Sequence, residues 1–132
     1  MNFKRFVLAV LGAFASVFVF EMLWHGFLMK GMYEATMSVW RPESECNMTV
    51  MLVSQFLFAG VLAYIYTLIG SKLPCKRGVA FGFFAGLILG VPQLATYCYL
   101  PIPLSISLMW VLASIVKCTL VGMAIACIYK EK

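Results

Sequence analysis

Five polar side chains sit inside long hydrophobic runs of this sequence, where a low-dielectric setting makes them costly: Glu21, His25, Gln55, Gln93 and Lys117. A charged residue near the centre of a membrane helix costs about 2.5–3.5 kcal/mol, so such residues pair, face a cavity or mark a pathway. Counting along each run at helical rise from the end that carries its basic residues puts Glu21 roughly 22 Å deep and Lys117 roughly 18 Å deep. Gln55 and Gln93 come out at about 21 and 22 Å. Four runs thus each contribute one strongly polar group at nearly one depth. A Glu21–Lys117 ion pair with the two amides completing its hydrogen bonds is the expected arrangement. His25, one helical turn beyond Glu21 on the same face, can join it, and Trp24 can cover the pair or supply an indole donor. Three chemistries follow: a structural ion pair that sets helix register, a proton or ion relay, or the anchor of a small-ligand site.

Other chemistries find less support. His25, Met29, Met32 and Met37 could form a soft set for copper(I), but nine methionines spread over the chain read as packing residues. A single histidine gives no bis-histidine haem site and no zinc set, and none of the five cysteines forms a CxxC. No P-loop, HExxH, nucleophile elbow or dinucleotide fingerprint occurs. No cofactor, metal or catalytic residue is therefore expected. Cys46 and Cys98 fall on the same expected side of the membrane, which permits a disulfide if the geometry allows it. Asn47-Met48-Thr49 fits a glycosylation sequon but abuts a hydrophobic run.

The elements that must position these groups are four apolar runs, approximately 6–29, 50–69, 78–97 and 104–129, each long enough for a bilayer core of about 30 Å. The start resembles a signal peptide, with Ala13-Phe14-Ala15 a passable cleavage site. The run continues well past it, so it reads as an uncleaved first span. After it, Met32, Tyr33, Thr36, Met37 and Trp40 fall near one helical face, predicting a short interfacial helix with Tyr33 and Trp40 at headgroup depth and Arg41-Pro42 as its stop. Gly70 to Arg77 and Leu100 to Pro103 read as turns.

Gly78, Gly82, Gly86 and Gly90 recur every four residues in the third run, on one helix face where another helix can approach closely. Packing within the bundle is the favoured use of that face. Cys118, Gly122 and Ala126 repeat the spacing in the fourth run.

The chain is 64% hydrophobic and only 11% charged, with mean hydropathy +0.98. A soluble domain holds about 25% charged residues. A net charge of +5 could suggest nucleic acid, but the basic residues flank apolar runs instead of forming a patch. Lys4, Arg5, Lys72, Lys76, Arg77, Lys130 and Lys132 fall on one side, and Lys30 and Arg41 on the other. By the positive-inside rule both termini are cytoplasmic. The expectation is an all-α, four-helix transmembrane bundle, one integral membrane domain over 1–132, with the lipid bilayer as its first partner and a membrane protein or a second copy as another.

The block Trp24-His25-Gly26, Leu28, Lys30, Tyr33-Glu34, Thr36 and Trp40-Arg41-Pro42 resembles a family of small four-span bacterial inner-membrane proteins that carry a WHGxLxKxxYExT…WRP block after the first span. The motif covers about a fifth of the chain. The resemblance implies a four-helix membrane fold in a bacterial inner membrane and supplies no activity. The residues themselves favour a binding, accessory or assembly module without enzymatic chemistry. A small transporter or channel subunit using Glu21, His25 and Lys117 is the alternative.

Overall fold

A computed structural model describes residues 1–69 and 75–130. The part of the basic turn that holds Lys72 and Pro74 lies outside the described residues, as does Lys132. Four long helices dominate: α1 (Phe3–Leu23), α3 (Met48–Ile69), α4 (Cys75–Gly90) and α5 (Leu104–Ile128), with a short α2 (Lys30–Glu34) after the first. α1 runs on through a π-helical turn, Trp24–Leu28, and α4 through a 3-10 helix, Val91–Cys98. With these extensions all four are long and apolar enough to cross a membrane.

The boundaries have local causes. Asn2 caps α1, its side-chain oxygen accepting from the Arg5 backbone N–H at 3.2 Å, and Asn47 caps α3 by accepting from the Val50 N–H at 3.1 Å. Each satisfies a donor that the first helical turn leaves open. Pro92 cannot donate to the α-helical ladder, so α4 ends at Gly90 and the chain tightens into the 3-10 form. Pro101 and Pro103 then separate it from α5.

The helices run alternately up and down. Both chain termini share one end, where the Asn2 N–H meets the Tyr129 hydroxyl at 3.2 Å; the 29–47 segment and the 99–103 turn share the other, hereafter the loop end. α5 is the hub, packed against α4, α1 and, less extensively, α3.

The glycine face of α4 lies directly on α5. A Cβ at Gly86 would sit 2.6 Å from the Ile115 Cα and 2.7 Å from the Ser114 carbonyl oxygen. One at Gly90 would sit 3.0 Å from the Val111 carbonyl oxygen. Gly78 and Gly82 meet Gly122 and the Cys118 carbonyl in the same way. Only residues without a Cβ permit this backbone approach. Toward the terminal end the core is largely apolar, built from Ala9, Ala13, Val17, Ala59, Ala63, Val121, Ile125 and neighbours, with Tyr66 and Tyr129 packed among them. A second, smaller core at the loop end centres on Met29, Ile102 and Ile106.

Candidate functional site

The site begins where α1 stops being a regular helix. The Met29 N–H bonds the Trp24 carbonyl at 2.9 Å, five residues back, which is the π-helical pattern. The extra residue changes which side chains align. Two α-helical turns carry about seven residues; with one inserted, residues eight apart share a face. His25 and Tyr33 are such a pair. Their rings stack with centroids 6.0 Å apart, and the Tyr33 hydroxyl lies 2.6 Å from His25 Nδ1.

From there a chain of polar contacts runs into the bundle. His25 Nε2 lies 3.0 Å from Glu21 Oε2, and Lys117 Nζ donates to Glu21 Oε1. At the other end Trp110 Nε1 donates to the Tyr33 oxygen at 2.8 Å. Donor and acceptor capacity orients the ends of the chain. Indole is donor-only, so the Tyr33 oxygen accepts from Trp110, and the Tyr33 proton has two acceptors in reach, His25 Nδ1 and the Met29 sulfur at 3.4 Å. When Nδ1 accepts, the imidazole proton sits on Nε2, facing the carboxylate. In that tautomer the donations converge on Glu21, from Trp110 through Tyr33 and His25 on one side and from Lys117 on the other. Lys117 Nζ also lies 5.4 Å from the Phe58 ring centroid, a cation–π contact supplied by α3. Burial pushes the Tyr33 phenol above its ordinary value, so it remains a neutral donor.

Tyr33 also forms a wall of an open pocket of about 910 Å³ at the loop end, lined by His25, Lys30, Tyr33, Glu34, Trp40, Arg41 and Trp110 among others. Tyr33, Trp40 and Trp110 pack edge to face, with centroids 5.4 and 5.9 Å apart. Thr36 fixes Trp40 by accepting from its Nε1 at 2.8 Å while donating to the Met32 carbonyl at 2.9 Å.

Several expectations need correction. The short helix after the first span ends at Glu34 instead of reaching Trp40. Thr36 takes the Met32 carbonyl with its side chain, and the backbone turns. Tyr33 and Trp40 fold onto Trp110 of α5. The two amides do not complete the ion pair. Gln93 donates to Ser114 at 3.0 Å, because α4 covers the face of α5 that holds Ser114 and Cys118 while Lys117 reaches across to α1. Gln55 Oε1 is buried without a hydrogen-bond partner among the described residues, and Phe58 is the α3 group that meets Lys117. Trp24 stacks on Phe20, centroids 5.2 Å apart, and its indole N–H donates to no described residue. Cys46 and Cys98 are separate exposed thiols. Cys46 precedes α3, which packs on α1 and α5, whereas Cys98 ends the 3-10 helix against α5. The methionines weighed above as a soft-metal set, and disfavoured there, lie in different surroundings. Met29 is fully buried and directs its sulfur to the Tyr33 hydroxyl at 3.4 Å, while Met37 is 72% exposed. Sequence reasoning missed Trp110 as a site residue, since an indole in an apolar run carries no signal of its partner.

Fold and site together define a class: a bundle of four helices long and apolar enough to span a membrane, with an ion pair inside it, joined through histidine and tyrosine to an aromatic pocket at one end. No known family model, curated protein or solved structure matches the chain.

Proposed function

We propose that this chain is a multi-pass protein of a bacterial inner membrane, termini cytoplasmic, that binds a small ligand in the pocket at its outward-facing loop end. The basic-residue distribution supports the orientation. One observation carries the binding reading: the Lys117–Glu21–His25–Tyr33–Trp110 chain reaches the pocket and goes no further toward the termini. Below it the core of Ala9, Ala13, Val17, Ala59, Val121 and Ile125 is largely apolar, with Tyr66 and Tyr129 also among its members. The pocket-side end of the chain is an indole, which donates but does not accept, so Trp110 itself passes no proton on. The arrangement therefore holds Tyr33 and Trp110 in place as pocket walls, and it favours binding over the alternative of a proton or ion conduit.

The test combines two measurements on purified protein. Native mass spectrometry should detect a bound small molecule in the wild type that is lost in Trp40→Ala. Proteoliposomes carrying a pH-sensitive dye should show no proton flux above empty vesicles. Flux that Glu21→Gln abolishes would replace the binding reading with the conduit.

A further inference from the structure

Resting on the binding reading, we infer that the pocket takes a zwitterionic headgroup, a phosphate with a primary ammonium close by, as an aminophospholipid presents it. The polar atoms of His25, Tyr33 and Trp110 are engaged with one another. A ligand must therefore find its charged partners on the rim. Lys30, Glu34, Arg41 and Glu43 supply them, two basic and two acidic. Lys30 and Glu34 form only a long, exposed contact of 3.9 Å. Arg41 and Glu43 are exposed, and among the described residues neither has an ion-pair partner.

That balance selects the ligand. A simple anion would face two carboxylates, and a simple cation would face two basic groups. A zwitterion can place its phosphate on Arg41 and Lys30 and its ammonium on Glu43 and Glu34, removing like-charge opposition at both ends. The guanidinium fork suits phosphate oxygens, and the aromatic wall of Tyr33, Trp40 and Trp110 suits an ammonium. The setting suits a lipid: Gly26 lines the pocket, and the next two residues, Phe27 and Leu28, are 73% and 59% exposed at the end of a membrane-spanning helix. They are exposed apolar groups next in sequence to a pocket-lining residue, available to acyl chains.

The experiment follows tryptophan emission of Trp24→Phe protein, in which Trp40 and Trp110 are the emitters. The protein is titrated in detergent micelles with phosphatidylethanolamine, phosphatidylglycerol, phosphatidylcholine and soluble phosphoethanolamine. Phosphatidylethanolamine should give a saturable shift at least fivefold tighter than the other two lipids. Arg41→Gln and Glu43→Gln should each weaken it about fivefold to tenfold, the loss of one charged contact; both residues are exposed, so folding is not at risk. Phosphoethanolamine competing as well as the lipid would keep the headgroup chemistry and assign a soluble source. Phosphatidylglycerol binding as tightly, with Glu43→Gln strengthening it, would overturn the zwitterion in favour of an anion. Equal binding of phosphatidylcholine would overturn the need for a primary ammonium. A native adduct lost in Trp40→Ala with no response to any of the four probes would overturn this inference and leave the binding reading standing. No adduct and no response would remove both.

Discussion

The seam between α4 and α5 and the polar chain at the loop end are built on opposite terms. The seam uses four glycines at constant spacing to bring two regular helices into backbone contact, leaving no space between them. The loop end abandons regular helix three times, in the π turn of residues 24–28, the break after Glu34 and the 3-10 helix of residues 91–98. In return it gains aligned polar groups and an open pocket. Close packing stabilises the bundle; local irregularity provides the site.

The largest expected effect breaks the seam. Gly86→Leu drives a side chain into the Ile115 backbone and should destabilise by on the order of 3 kcal/mol or more, since neither partner is a flexible side chain. Thermal unfolding in detergent measures it. Gly60→Ala is the control: a Cβ there meets nothing within 4 Å, so the change should be neutral or stabilise by roughly 0.5–1 kcal/mol through helix propensity. Equal damage from both would refute the contrast.

Next comes the ion pair. Glu21→Gln or Lys117→Met alone leaves the other charge uncompensated. Each should cost somewhat less than the roughly 3–5 kcal/mol of a fully buried pair, because about a fifth of each side chain stays exposed. The double change should recover much of the loss in the same unfolding measurement. Strictly additive losses would argue that the contact contributes nothing.

Tyr33→Phe sharpens the loop-end side of the comparison. It leaves Trp110 Nε1 and His25 Nδ1 without their partner and should cost about 1–2 kcal/mol, with altered tryptophan emission. Burial raises the phenol above the ordinary value of 10.0. The folded state therefore holds its proton more tightly than the unfolded one, and this contribution is present below about pH 10 and lost as pH rises through the folded value. Tyr33→Phe should flatten that alkaline loss.

The smallest effect concerns the thiols. Cys46→Ser and Cys98→Ser should each change stability by less than about 0.5 kcal/mol. An impermeant maleimide should label both in intact spheroplasts without prior reduction. Labelling that requires a reductant would restore the disulfide, and labelling only after lysis would reverse the orientation.

What the sequence revealed follows the same divide. The glycine seam and the four helices were legible because constant spacing on a regular helix is a statement about geometry. Glu21 meeting Lys117 was legible because two charges in apolar runs need each other. The rest required knowing where the backbone departs from α. The alignment of His25 with Tyr33 depends on one extra residue in a π turn that no residue type announces. Gln55 and Gln93 have the right depth, but depth does not say which face of α5 each neighbour covers. Trp110 was invisible for the same reason.

The seam has a mechanical consequence. Carbonyls of Val111, Ser114, Cys118 and Gly122 stand against glycine backbone along α4, so sliding one helix past the other drives main chain into main chain. α4 and α5 therefore behave as one rigid plate. The softer direction is between this plate and α1 with α3, where side chains make the contact and can change rotamer. Trp110 rides on the plate and Tyr33 on the α1 side. The hydrogen bond between them latches that joint at the loop end, as the Lys117–Glu21 ion pair does deeper in, and the width of the pocket is set by how the two halves of the molecule lean on each other.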